Sequence, residues 1–177
     1  MSQSVPLETE RLTLAPFDTN RHLTTRYVAW LSDPDVVRYS EQRHHHHTLE
    51  SCRRFAESFK DGPGCLWAIE RKQDGLHIGN IHADIDPRNS LADVAILIGD
   101  RTVWGQGYGL EAWNAVLGWL LGDAGIRKVV AGCMRDNAAM RAIMKASGMA
   151  DDGVRSDQYL LDGKPQDVVF AARFRTD

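Results

Sequence analysis

Three glycines at alternate positions, Gly105, Gly107 and Gly109, lie between a strand-like run and a long amphipathic stretch. Glycine has no Cβ, so this segment can turn tightly and bring its backbone close to a ligand. The stretch that follows is predicted to be a helix, and the first N–H groups of a helix have no partner within it. Because a glycine turn that leads into a helix N-terminus binds phosphate, the sequence predicts a phosphorylated cofactor at residues 104–110.

Two common phosphate-binding loops do not fit this segment. A P-loop requires the pattern G-x-x-x-x-G-K-[ST], which the chain lacks. A dinucleotide fingerprint requires G-x-G-x-x-G, and counted from Gly105 and Gly107 its third glycine falls on Leu110. The remaining alternative to a cofactor site is a tight turn with a purely structural role.

The glycine segment resembles the acetyl-CoA motif of the GNAT acyltransferase superfamily, most of all the branch that contains the ribosomal-protein N-terminal acetyltransferases. The matching residues are Trp104-Gly105-Gln106-Gly107-Tyr108-Gly109, then Glu111-Ala112 in a long helix. Asp136-Asn137, a helix and Ser147-Gly148-Met149 are similar to a second segment of the family, and Thr9-Glu10-Arg11-Leu12 is typical of the branch. The three matches occur in family order and span nearly the whole chain.

The resemblance implies that acetyl-CoA is the acyl donor and that the site holds no metal. The pyrophosphate would bind backbone amides of the glycine loop, and a backbone N–H near Ile98 would stabilise the oxyanion on the thioester oxygen. The predicted strand 128–134 would splay away from strand 93–98 and admit the pantetheine. The implied cofactor-binding residues are Ile96, Leu97, Ile98, Trp104, Gly105, Gln106, Gly107, Tyr108, Gly109, Leu110 and Asn137. Helix capping is an alternative role for Asn137, and one residue can serve both.

Acetylation of an amine also requires a group that takes up a proton. A primary alkylamine has a pKa near about 10, so at pH 7 most of it is protonated and cannot attack. Where the family places its acceptor, the candidate bases are Glu41, His82, Asp84 and Asp93. His82, Asp84 and Asp86 alternate with apolar residues and share one strand face. That face is a proton route if it lines a cleft, and a polar strand surface if it faces solvent.

The chain departs from the family pattern at the group that would protonate the leaving thiolate. Several relatives carry Ser three residues after the Asn, or a Tyr slightly further on, whereas this chain has Met140 and no Tyr between Asn137 and Gly148. Met140 is predicted to be a core residue. Tyr159, on a later strand, is a weak substitute, and protonation through water is the alternative.

Two acceptor classes are consistent with the resemblance. One is a peptide or protein N-terminal amine, and the other is an amino sugar linked to a nucleotide, because residues 27–53 also look similar to acetyltransferases that act on amino sugars. In residues 43–47, Arg43 and one or two of the four histidines could contact an anionic acceptor; the alternative is a solvated polar loop. A dedicated zinc site is disfavoured, since the four histidines are not spaced as ligands. A hypothesis from another class is a non-catalytic acyl-CoA sensor or scaffold.

The composition of the chain limits the classes of partner and the cellular location that are expected for the protein. A net charge of −3 gives no electrostatic case for nucleic acid. No apolar run approaches the roughly 20 residues of a membrane span, and no signal peptide is visible, so a cytoplasmic location is expected. The 177 residues are expected to form one acetyltransferase domain over 1–177, and a homodimer would be unsurprising.

The fold implied by the resemblance is the GNAT acyl-CoA N-acyltransferase fold. It is a mixed, mostly antiparallel α/β sheet with helices on both faces. Periodicity and turn signals predict the order β-α-α-α-β-β-β-α-β-α-β-β. The predicted strands are 11–17, 65–71, 76–85, 93–98, 128–134, 154–161 and 167–174. The predicted helices are 20–31, a short one that ends at Tyr39, 48–59, 106–123 and 137–147.

Overall fold

The computed structural model of the chain describes residues 4–176. Its strands are β1 (Leu7–Glu8), β2 (Leu12–Pro16), β3 (Cys65–Arg71), β4 (Leu76–Asp86), β5 (Leu91–Ile98), β6 (Lys128–Met134), β7 (Ala150–Leu161) and β8 (Lys164–Phe174). Its α-helices are α1 (Thr25–Ser32), α2 (Leu49–Glu57), α3 (Tyr108–Leu121) and α4 (Ala138–Ala146). Short 3₁₀ helices cover Glu41–His44 and Arg101–Val103.

All eight strands belong to one sheet in the order β1-β2-β3-β4-β5-β6-β8-β7. Neighbouring strands pair antiparallel except β5 and β6, which are parallel. A parallel pair needs a crossover connection, and α3 supplies it. The prediction of a mixed, mostly antiparallel sheet is therefore confirmed.

Helices cover both faces of this sheet. Successive side chains of a strand point to opposite faces, so β5 serves two cores. Ile96 and Ile98 pack with the buried residues of α3 and α4, whereas Leu97 packs with Tyr27 and Trp30 of α1. The sheet thus separates an α3–α4 face from an α1–α2 face.

Several element boundaries follow from local capping. Thr48 and Ser51 form a capping box at the start of α2, as the Thr-x-x-Ser spacing predicts. Asp162 and Gly163 both have positive φ and form the tight turn between β7 and β8. The turn signals of the sequence were therefore reliable at these positions.

Several predicted elements differ from the structure. The helix predicted over 20–31 starts at Thr25, because the Thr24 side chain caps it. No helix ends at Tyr39: residues 34–39 form turns, and the adjacent β-branched residues Val36 and Val37 disfavour helix while Val37 is buried in the core. The short strand β1 was missed, and β7 begins four residues before the predicted 154.

None of the helices in residues 4–176 has the length and hydropathy that a membrane crossing requires. Within the same residues, no three His, Cys, Asp or Glu side chains are grouped so that they could share a metal ion.

Candidate active site

The parallel strands β5 and β6 separate after only three residue pairs. Leu91, Ala92 and Asp93 pair with Lys128, Val129 and Val130, and the rest of β6 pairs with β8 instead. The edge of β5 beyond Asp93 therefore faces a V-shaped gap rather than a neighbouring strand. This is the splay that the family resemblance implies, and it leaves backbone hydrogen-bonding groups available to a ligand.

The glycine loop ends at the N-terminus of α3 and lies at the open end of this gap. Gly105 and Gly107 have φ of 74° and 83°, a left-handed conformation that favours glycine. Gly107 is the N-cap of α3 and supplies no side-chain acceptor, so the first N–H groups of the helix are free for an anion. A Cβ on Gly105 would meet nothing within 4 Å, so the loop faces open space.

The remaining loop residues hold this geometry. The Gln106 side chain donates to the carbonyl of Thr102 at 2.9 Å, and Tyr108 is buried. Gly109 lets α3 approach closely, because a Cβ there would lie 3.2 Å from Ile143 of α4. Leu110, in the first turn of α3, is half-buried. The helix itself begins at Tyr108, two residues later than predicted.

Trp104 covers the end of β5. Its indole N–H donates to the carbonyl of Ile98 at 2.9 Å, and the Arg101 guanidinium lies 5.7 Å from its ring. The ring is exposed rather than packed beneath the loop. Trp104 therefore joins the glycine loop to the strand edge of Ile96, Leu97 and Ile98.

Three of the four candidate bases lie together on the α1–α2 face. Asp84 of β4 is the cross-strand partner of Asp93 of β5, and His82 Nε2 lies 3.7 Å from Asp84 Oδ2. The His82 ring packs against both Phe55 and Phe59, with centroids 5.6 Å from each. The polar strand face is thus partly covered at His82 and open at Asp84, whose side chain is 70% exposed.

These surroundings shift two of the pKa values in useful directions. Burial lowers the pKa of His82, against the opposing effect of Asp84, so the imidazole is neutral at pH 7. Burial and the charge of Asp84 raise the pKa of Asp93, although more than a third of its surface is accessible to water. A neutral imidazole and a carboxylate of raised pKa are both proton acceptors near neutral pH.

Glu41 and Asp86 are separate from this group. Glu41 lies in the 3₁₀ helix, where its Oε1 pairs with Arg43 Nη1 at 2.8 Å. Asp86 accepts hydrogen bonds from the backbone of Arg88 and from Asn89, so it stabilises the turn after β4. Neither carboxylate bonds to His82 in the described part of the chain.

Asn137 caps α4. Its Oδ1 accepts the backbone N–H of Met140 at 3.1 Å, which is the capping role expected as one alternative. No described residue accepts a hydrogen bond from its Nδ2, so the amide retains a donor for a ligand.

The family model described as an acetyltransferase (GNAT) domain matches residues 11–150, most of the chain. The chain belongs to the GNAT acetyltransferase family. It is an acetyl-CoA-dependent N-acetyltransferase, as the sequence motifs predict.

The solved structures that share the fold of this acetyltransferase include those of three other acetyltransferases. RimL, a ribosomal L7/L12 α-N-protein acetyltransferase in complex with coenzyme A as a disulfide with one of its cysteines, has a TM-score of 0.83 and 19% identity, covering 96% of this chain and 98% of RimL. A ribosomal-protein-S5-alanine acetyltransferase from Vibrio fischeri has a TM-score of 0.82 and 16% identity, and the match covers 98% of each chain. The microcin C7 self-immunity acetyltransferase MccE, in complex with acetyl-CoA and AMP, has a TM-score of 0.78 and 18% identity. That match covers 94% of this chain and 93% of MccE. At these identities the matches show a shared fold.

A separate groove lies away from the glycine loop. It has a volume of about 810 Å³ and runs between α4 and the strands β7 and β8. Its lining includes Arg141, Lys145 and Phe170 but none of residues 104–110 and none of the candidate bases. This groove therefore does not coincide with the candidate site, which the splayed strands and the uncapped helix mark.

Met140, which replaces the family's Ser, packs against the core of the α3–α4 face, as predicted. Its thioether has no proton to give to a thiolate. Tyr159 pairs with Gln166 near the β7–β8 turn, beyond the last pair of β6 with β8. Met140 therefore cannot act as the general acid, and the role of Tyr159 stays a prediction.

A network around Glu111 was missed by the sequence reasoning. Glu111, in the first turn of α3, accepts hydrogen bonds from the Thr9 hydroxyl at 2.6 Å, the Arg11 backbone at 2.8 Å and Arg11 Nε at 2.6 Å. Arg11 Nη1 also donates to the Gln106 carbonyl at 2.9 Å, and its guanidinium stacks on Tyr108 at 4.3 Å.

This network fixes the shape of the loop. Partial burial alone would raise the pKa of Glu111, but the hydrogen bonds from Thr9 and Arg11 outweigh it and hold the pKa below its ordinary value. The anchor is therefore an ionised carboxylate. The signal was present in the sequence, since Thr9-Glu10-Arg11 is typical of the branch.

Proposed function

We propose that this acetyltransferase moves the acetyl group of acetyl-CoA to a primary amine by direct attack in a ternary complex. The observation that carries the proposal is the gap between β5 and β6, which leads from the uncapped N-terminus of α3 to the α1–α2 face. The donor would bind on one side of the sheet and the acceptor on the other, so the two can meet at the strand edge of β5. Positioning of this kind lowers the barrier substantially.

The donor site comprises the loop and strand edge already described. Backbone amides from Gln106 to Leu110 would hold the pyrophosphate, since a Cβ on Gly105 would meet nothing within 4 Å and the space beside the loop is open. Asn137 Nδ2 would bond the pantetheine. RimL and MccE, which bind coenzyme A and acetyl-CoA respectively, support this assignment by their shared fold.

His82 would take the proton of the amine. Its cross-strand neighbour is the exposed Ala95, which lies in the stretch of β5 that β6 leaves unpaired and whose small side chain would leave the imidazole open to the gap. Asp84 would stabilise the imidazolium that forms, and Asp93, at the last paired position before the gap, is the alternative acceptor. Glu41, already paired with Arg43, is the weakest of the four candidates.

The acceptor would be either a peptide N-terminal amine or a nucleotide-linked amino sugar. The ribosomal-protein acetyltransferases among the structural neighbours favour the first, and MccE, whose structure contains AMP, shows that a protein of this fold binds a nucleotide together with acetyl-CoA.

Calorimetric titration with acetyl-CoA, combined with a thiol-release assay on a panel of both amine classes, tests the proposal. We expect micromolar binding of acetyl-CoA and release of free thiol with one class only. Binding without thiol release on any amine would instead support the acyl-CoA sensor, and absence of binding would refute the donor site.

A further inference from the structure

A second cavity lies on the α1–α2 face, with a volume of about 370 Å³. It is formed by the end of α1 and the turn after it, by the loop that follows the 3₁₀ helix, and by the turn between β7 and β8. This volume is within the range of small-molecule sites, about 300–1,000 Å³.

The cavity adjoins the strand that borders the gap. Leu31 and Val37, which line it, belong to the apolar cluster against which Leu97 of β5 packs. Leu97 lies in the part of β5 that β6 leaves unpaired. A molecule in the cavity is therefore on the acceptor side of the sheet.

The polar lining consists mainly of hydrogen-bond donors. Arg38, Arg43 and the three histidines His45–His47 contribute two guanidinium groups and three imidazoles. Asp162 is the single carboxylate among the described residues of the lining. Guanidinium and imidazole groups are strong donors to oxyanions, and arginine binds carboxylate and phosphate in a bidentate manner.

The two arginine side chains differ in how firmly other residues of the protein hold them. Arg43 is 14% exposed and donates to the carbonyls of Ser40 and Leu160 at 2.9 Å each, in addition to its ion pair with Glu41. It therefore fixes the loop that bears the histidines against the end of β7. Arg38 is 47% exposed and has a 2.8 Å ion pair with Asp162, which is itself 66% exposed. Exposed ion pairs are weak, so Arg38 can exchange Asp162 for an oxyanion of a ligand.

We propose that this cavity binds an oxyanion, phosphate or carboxylate, that is part of the acetyl acceptor. The inference rests on the proposed function, because the anchored anion would direct the amine of the acceptor towards the gap. Arg38 contacts the anion, and Arg43 is a positioning residue that holds His45–His47 in place.

Titration calorimetry with AMP, inorganic phosphate and glutarate as probes tests this site. The protein is first saturated with coenzyme A, so that the glycine loop is filled. We expect AMP or phosphate to bind if the acceptor carries a phosphate, and glutarate if it carries a carboxylate. Arg38→Gln should weaken the bound probe about tenfold, whereas Arg53→Gln, an exposed arginine of α2 outside the cavity, should not change it.

Asp162→Asn supplies a change of opposite sign that misfolding cannot imitate. It removes the carboxylate that competes for Arg38, and asparagine tolerates the φ of 50° at this position, so probe binding should tighten. No binding of any probe to the wild type, or equal affinity in Arg38→Gln, would overturn the proposal.

The same variants separate this inference from the proposed function. Acetyl-CoA affinity should be unchanged in Arg38→Gln and Asp162→Asn, because both residues lie away from the glycine loop. If coenzyme A does not bind, the donor site fails on its own, and the oxyanion titration is then repeated on Gly105→Asp, whose loop carries its own carboxylate.

Discussion

On the α3–α4 face, the donor region is made mostly of backbone: left-handed glycines, the free N–H groups of a helix and an unpaired strand edge. On the α1–α2 face, the acceptor region is made of side chains that come from β4, β5, the segment after α1 and the β7–β8 turn. A site made of backbone groups depends on the conformation of the chain and not on particular side chains. Many different sequences can therefore form the same acetyl-CoA site. A side-chain site can differ from one chain to the next, so the acceptor is where this chain has its own specificity.

This comparison predicts that substitutions on the two faces separate into two kinetic classes. Changes at the donor region should alter the affinity for acetyl-CoA, and changes at the acceptor region should alter turnover or the KM for the amine. A substitution that moved both equally would break the distinction.

The largest effect is expected for the proposed base. His82→Gln removes the group that takes the amine proton while preserving volume, so kcat should fall by about 10²–10⁴-fold. Acetyl-CoA affinity, measured by calorimetry, should stay within about twofold of the wild type. Asp86→Asn, on the same strand face but bound to the following turn, is the control and should retain kcat. If His82→Gln retains kcat and Asp93→Asn loses it, Asp93 is the base.

A smaller effect is expected on the pH dependence of stability. All seven histidines lie within residues 22–82, outside α3 and α4, so titration of histidine should affect the α1–α2 side of the molecule. His77 packs against Trp30 of α1 with ring centroids 5.0 Å apart, and burial lowers its pKa to about 4. The unfolded value is about 6.5, so protonation favours the unfolded chain. The stabilisation is complete above about pH 6.5 and is lost as the pH falls towards about 4, in total on the order of 3 kcal/mol.

Denaturant unfolding at pH 7.5, 5.5 and 4.5 measures this contribution of His77 to the free energy of unfolding. His77→Gln should flatten the dependence of the unfolding free energy on pH, and the exposed His44→Gln should not. An unchanged slope in His77→Gln would show that His77 titrates normally in the folded state.

The smallest effect is expected at the anchor of the glycine loop. Glu111→Gln weakens the hydrogen bonds from Arg11 that hold the loop, so acetyl-CoA should bind about tenfold more weakly, with kcat at saturation unchanged. Glu57→Gln, on the exposed surface of α2, is the matched control. A loss of kcat without a change in affinity would place Glu111 in the chemistry rather than in donor binding.

The same contrast explains what could be predicted from the sequence. The donor region is encoded locally, since Gly105, Gly107 and the helix behind them are contiguous, and strand periodicity was enough to place β5 beside them. Its anchor, however, joins Arg11 to Glu111 across 100 residues, and no local pattern shows such a contact. The acceptor region is non-local throughout: Asp84 meets Asp93 only through strand register, and Arg38 meets Asp162 only because the β7–β8 turn reaches the end of α1.

The central claim is that the N-terminus of α3 holds the pyrophosphate of acetyl-CoA, and calorimetric titration of Gly105→Asp tests it most directly. Gly75→Asp is the matched control, because Gly75 also has positive φ and open space at the Cβ position but lies in the turn between β3 and β4. We predict that Gly105→Asp weakens acetyl-CoA binding about a hundredfold, through repulsion between its carboxylate and the phosphates, and that Gly75→Asp leaves it unchanged. Equal affinity in the two variants would contradict the assignment of the donor site.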